Sequence, residues 1–163
     1  MISDGRNTFL VDGNNADIVN SWRKWYETFK DQPIKIVSEL RNASVQEACE
    51  AIFSYMVKNT YYKLDGENVQ YIKSPARFLT DRCGDCKSYT MFICCCLHCL
   101  GIPHIARFVN FNGGSQYTHV YPVAIDETGR EIIMDACELN DDGIPYIDYA
   151  RPYKKKKDLY YSK

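Results

Sequence analysis

The chain has little that would carry it into a membrane or draw it to a polyanion. No apolar stretch in its 163 residues reaches the roughly 20 needed to span a bilayer. The N-terminus, Met1-Ile2-Ser3-Asp4-Gly5-Arg6, lacks the basic-then-apolar pattern of a signal peptide. Net charge is −1, so no global field attracts nucleic acid or an anionic surface. No internal repeat is visible, and no low-complexity block outside the last residues. The expectation is a soluble cytoplasmic protein that works without membrane or nucleic-acid partners. Histidine is also scarce. His98, His104 and His119 are the only three, which narrows the candidates for a general base.

What is present is a core and an excess of sulfur. Apolar residues make up 45% and charged residues 25%, close to a globular average, and the length suits one ordinary domain. Eight cysteines invite two structural readings. Disulfide scaffolding needs separated cysteines and oxidising conditions, whereas Cys94, Cys95, Cys96 and Cys99 crowd one segment. That segment, Tyr89 to Leu100, holds no Gly or Pro and reads as a buried helix, with its cysteines as small apolar packing groups. Zinc is the stronger competitor, because Cys83-x-x-Cys86 and Cys96-x-x-Cys99 form two CxxC pairs with nine residues between them. The spacing between the pairs is short for a four-thiolate site, and the second pair falls inside an uninterrupted helix. Nor does zinc account for the residues downstream.

The stretch Arg82-Cys83-Gly84-Asp85-Cys86-Lys87-Ser88 leads into that helix from an irregular segment, Ser74-Pro75 to Asp81. Cys86 falls near the helix N-terminus, where unpaired N–H groups and the macrodipole favour a negative charge such as a thiolate. Nucleophilic catalysis by cysteine also requires a base, itself oriented by a third group. His98 lies three turns along the same helix and cannot touch Cys86. His119 lies in Tyr117 to Ile125, a β-rich stretch. A turn at Asp126 to Arg130 then leads to a second short strand, Glu131 to Ala136. An antiparallel hairpin of these two strands puts Asp135 near His119. The chain order is therefore Cys86, His119, Asp135. Cys83 is the closest decoy for the nucleophile, expected to be supporting or exposed; Arg82 is a candidate partner for Asp85.

Gly84-Asp85-Cys86 opening a helix, then Leu100-Gly101-Ile102-Pro103 and the strand Ile105 to Val109, resembles the core of the transglutaminase-like superfamily of papain-type thiol enzymes. His119-Val120-Tyr121 and Ile133-Met134-Asp135 match the His and Asp segments of that core, at gaps of 33 and 16 positions. Gln70-Tyr71-Ile72-Lys73-Ser74-Pro75 resembles a segment of bacterial and bacteriophage members. The likeness covers about residues 45 to 137, and departs from the pattern at Lys87-Ser88, where many relatives carry acidic residues. It implies an α+β fold in which the nucleophile-bearing helix packs on a small antiparallel sheet, with extra N-terminal helices. It further implies a Cys86-His119-Asp135 triad, with Gln70 as the oxyanion candidate, acting on a peptide or protein amide with no cofactor and no metal.

Along the chain, residues 1 to 15 read as a loose lead-in. Ile18, Trp22, Trp25 and Phe29 mark an amphipathic helix from Ala16 to Lys30. Ser44-Val45-Gln46-Glu47 is a capping box, opening a helix with Ala48, Ile52, Tyr55 and Met56 inward. A turn is expected at Asp65-Gly66-Glu67-Asn68. The division is 1–44 lead-in and first helix, 45–140 core, and 141–163 a Tyr/Lys-rich tail. That tail, with its run Lys154 to Lys157, reads as a solvated extension packing a few tyrosines on its own domain, in preference to a docking strap for an acidic or nucleic-acid surface. Two alternatives to a thiol enzyme stay open: an assembly protein, such as a phage virion component that uses the first helix and the tail as contact surfaces, and the four-thiolate zinc module.

Overall fold

The helices begin where short polar side chains satisfy the exposed N–H groups of the first turn. Ser44 accepts from the Glu47 N–H at 3.2 Å while Glu47 accepts from the Ser44 N–H at 2.9 Å, the box expected from sequence. Asn14 and Asp17 form the same reciprocal pair. In a computed structural model of the chain, residues 7–11, 14–66, 69–139, 142–143 and 145–162 are described. The elements in order are β1 (Asn7–Val11), α1 (Asn15–Phe29), α2 (Val45–Asn59), β2 (Tyr61–Tyr62), β3 (Val69–Lys73), α3 (Pro75–Asp81), β4 (Cys83–Gly84), α4 (Cys86–Cys99), β5 (His104–Asn110), β6 (His119–Ile125), β7 (Glu131–Ile133) and β8 (Lys155–Tyr161). Two 3-10 turns, Gln32–Lys35 and Ser38–Leu40, connect α1 to α2. Among the described residues no helix is long and apolar enough to cross a membrane.

The centre of the molecule is α4, the cysteine-rich helix, buried over 12 of its 14 residues. One side packs Phe92, Ile93, Cys96 and Leu97 against Ile52, Phe53 and Met56 of α2 and Phe78 of α3. The other side sets Met91, Cys94 and Cys95 against Trp22 and Tyr26 of α1 and Phe108 of β5. Fully burying side chains of this size contributes about 1.5–3 kcal/mol each, so a helix apolar all round is stable only in this sandwiched position. Cys94, Cys95 and Cys96 serve as packing groups, and all eight cysteines are free thiols.

Behind α4 stands a four-stranded antiparallel sheet in the order β7-β6-β5-β8. The Thr90 hydroxyl donates to the Val120 carbonyl at 3.0 Å, fixing helix to sheet. On the outer face the buried Arg107 of β5 bonds Glu131 of β7 at 2.8 Å and Asp158 of β8 at 2.8 Å, so one guanidinium links three strands. A mixed fold with the cysteine helix on a small antiparallel sheet is thus as the sequence implied.

Several local expectations are corrected. Residues 155–161 form a strand in place of a solvated extension: β8 pairs with β5 from Asn110↔Lys155 to His104↔Tyr161, and Leu159 enters the core together with Tyr161, whose packing on the chain's own domain is as expected. The lysines of the run line an exposed sheet edge, where charge discourages pairing with other chains. Within the lead-in, β1 pairs with β3. The segment after Ser74 is helical, with Pro75 at the first helical position and the Ser74 hydroxyl accepting from the Arg77 N–H. Tyr55 faces solvent. Half of the turn expected at 65–68, Glu67 and Asn68, lies outside the described residues.

Candidate active site

The nucleophile position is built by three short elements. The αL backbone of Arg82 (φ 53°) ends α3 and turns the chain into β4, which pairs in parallel with β2 through Tyr61↔Cys83 and Tyr62↔Gly84. Gly84 is required by the close approach of α4. A Cβ there would lie 2.7 Å from the Ser88 Cβ. Asp85 then caps α4, its Oδ1 accepting from the Lys87 N–H at 3.0 Å, and Cys86 is the first helical residue. The expected pairing of Asp85 with Arg82 is replaced by a different one. Arg82 is exposed, and Asp85 pairs with the Lys87 ammonium, which also lies 3.1 Å from Asp65.

The hairpin brings the other two groups. The observed register Val123↔Ile133 carries the chain past β7 to Asp135, whose Oδ2 accepts from His119 Nε2 at 2.6 Å. The Cys137 N–H donates to Asp135 Oδ1 at 3.1 Å and holds the carboxylate in place. With Nε2 engaged, Nδ1 of the imidazole is left for the sulfur. Burial works against a charged imidazole. Hydrogen bonds to Asp135 and Cys86, together with their negative charges, outweigh it and raise His119 to about 10. Phe111 stacks on the ring, with centroids 5.7 Å apart. The structure therefore brings Cys86, His119 and Asp135 together at the N-terminus of α4.

The sulfur opens onto a cleft of about 40 Å³ lined by Asn15, Ile18, Lys87, Phe108, Tyr117 and Thr118 alongside Cys86 and His119. Gln70 is outside that lining; it lies on β3 opposite Leu10, on the same side of the strand as the buried Ile72. Sequence reasoning gave no role to Asn15, Tyr117 or Thr118, although the last two adjoin His119 in the chain. In the sequence Lys87 stands out only as a departure from the family pattern. Cys83 is buried, not exposed, and sits near the Lys73 ammonium (Nζ to Sγ 3.8 Å). The zinc alternative is also corrected. Cys86 and Cys96 are ten residues apart on one helix, about 15 Å along its axis. Among the described residues no three His, Cys, Asp or Glu side chains are grouped to hold a metal ion.

No curated protein sequence matches the chain. Its fold is shared by several solved structures. One is a candidate cysteine protease from Cytophaga hutchinsonii, at 18% identity and TM-score 0.53, aligned over 82% of this chain and 51% of the other. The second is calcium-bound LapG of Legionella pneumophila, also 18% identical, with TM-score 0.52 and coverage of 74% and 73%. The chain thus spans about half the length of the first. A sequence model of the transglutaminase-like superfamily matches residues 34–136, well over half of the chain and the whole span from α2 through the Cys, His and Asp segments. The chain belongs to the transglutaminase-like superfamily.

Proposed function

We propose that the protein is a cysteine acyl-transfer enzyme that cleaves or exchanges an amide through a thioester on Cys86. The observation that carries this reading is the 2.6 Å bond between His119 Nε2 and the buried Asp135, with the imidazole facing the same cleft as the Cys86 sulfur. Sulfur attacks the amide carbonyl, forming the C–S bond and a tetrahedral oxyanion. His119 gives its proton to the amine as the C–N bond breaks. Water or an acceptor amine then attacks the thioester and loses a proton to His119. The C–S bond breaks and the thiolate returns. Asp135 holds the imidazole in orientation and supports its charge throughout.

The Cys86 backbone N–H, at the start of α4, is the first oxyanion donor. Two carboxamides compete for the second: Asn15, which lines the cleft, and Gln70, on the core side of β3. The cleft, at about 40 Å³, is far smaller than the roughly 300–1,000 Å³ of small-molecule sites. That favours an extended peptide or protein segment laid across its mouth over an engulfed metabolite. The competing reading as an assembly component relied on α1 and the 141–163 segment as free surfaces. Both place apolar side chains, among them Trp22, Tyr26, Leu159 and Tyr161, in the chain's own core.

The test is incubation with a mixed-sequence peptide and protein library, scoring new N-termini for hydrolysis and uptake of a tagged amine for transamidation. Products should form with the wild type and vanish with Cys86→Ala. Activity that survives Cys86→Ala, or is absent from the wild type across the library, contradicts the proposal. Asn15→Ala and Gln70→Ala decide the second oxyanion donor, since its loss costs on the order of 10²-fold or more in kcat.

A further inference from the structure

A buried cation stands beside the nucleophile and takes no part in the acyl transfer itself. Lys87 follows Cys86 in the chain, is 8% exposed and lines the same cleft. Its ammonium is held between two carboxylates, Asp85 of the helix cap and Asp65, the latter at 3.1 Å. Asp85 is itself 3% exposed. Asp65 Oδ2 also accepts from the Tyr71 N–H at 2.7 Å, so the cluster joins the stretch after β2, the strand β3 and the first turn of α4.

We propose that Lys87 is a positioning residue for Cys86: its clamped ammonium offsets the buried Asp85 and the half-buried Asp65, carboxylates that would otherwise oppose negative charge on the adjacent sulfur. The inference rests on the reading of Cys86 as the nucleophile. Two carboxylates beside a thiolate disfavour it by like-charge repulsion in a low-dielectric setting, and a buried carboxylate stripped of its partner is costly in itself. Lys87 and His119 are the two basic side chains lining the cleft. On the far side of Asp65, Lys63 and Lys73 line a neighbouring pocket with it, and the Lys73 ammonium is held by Asp81 at 2.8 Å and by the Cys83 carbonyl at 2.7 Å. Tyr62 and Cys137 both sense Cys86 and Asp85 and are pushed up mainly by burial. Lys155 stands 5.0 Å from the centre of the ring of Tyr117, which lines the cleft. Asp85 is pushed up to about 6 by its burial and by Asp65, against the pull of Lys87, which indicates how closely matched the charges are.

The experiment measures the alkylation rate of Cys86, identified by peptide mapping, as a function of pH in the full chain. Lys87→Met should move the acid limb of the profile to higher pH and slow the reaction at pH 7 by roughly tenfold for each unit of displacement. Asp65→Asn leaves the Lys87–Asp85 pair and removes one negative charge, so its limb should move the opposite way. Lys87→Arg should stay near wild type. A merely structural lysine would change stability without these opposed shifts. Wild-type profiles in Lys87→Met and Asp65→Asn overturn the inference and leave the nucleophile standing. If Lys87→Met does not fold, Asp65→Asn decides alone. A wild type in which another thiol reacts before Cys86 overturns the parent reading as well.

Discussion

His119 is the residue on which the chemistry turns, and its charge has a testable pH signature. An imidazole in an unfolded chain titrates near 6.5, whereas His119 in the folded site is raised to about 10 against the cost of its burial. The folded state therefore holds the proton more tightly. The stabilisation from this residue is full below about 6.5 and is lost as pH rises through about 10. Histidine ¹⁵N NMR should find both ring nitrogens of His119 protonated at pH 8. In Asp135→Asn the titration should fall toward 6.5, and kcat should drop on the order of a hundredfold or more. Titration of the wild type near 6.5 would refute this electrostatic account. The triad was legible because each member sits in a segment with its own signal: a helix start, a β-rich strand and a hairpin partner. The Asp65–Lys87–Asp85 cluster was not legible, since no local pattern announces that a residue 22 positions upstream of Lys87 will meet it.

At the scale of elements, the short pieces flanking the cysteine set its position. Gly84→Ala would put a methyl 2.7 Å from the Ser88 Cβ and force the first turn of α4 away from β4. That should cost about 1–3 kcal/mol by urea denaturation and slow Cys86 alkylation in the folded fraction. A variant of wild-type stability and reactivity would place the constraint elsewhere. Strand β8 invites the complementary test. Leu159→Ala should destabilise by about 2 kcal/mol, whereas Lys156→Ala on the exposed edge should change stability by under about 0.5 kcal/mol. Equal, negligible effects would mean that β8 is not part of the cooperative unit. β8 was hidden in the sequence because an edge strand protected by lysines has the composition of a solvated tail. α3 was hidden because its Pro read as irregular chain, although Ser74-Pro75 is also an N-cap followed by a first helical residue.

For the whole molecule, two core clusters meet on α4, with α1 and β8 closing one side and α2 and α3 the other. The helix bearing Cys86 is thereby held from every direction, while one end stays accessible at the cleft. The general fold was readable because a helix with no polar face must lie in the middle of something. Which segments surrounded it depended on long-range pairings that no window of sequence contains. Eight free cysteines, most of them packing groups, turn this architecture into a direct test. With limiting iodoacetamide at pH 7, followed by peptide mapping, the account predicts that Cys86 is modified first and alone in the native protein. It predicts that the rate at Cys86 falls on His119→Ala and that all eight thiols react after denaturation. First modification at Cys83 or another thiol, or a Cys86 rate indifferent to the loss of His119, would contradict it.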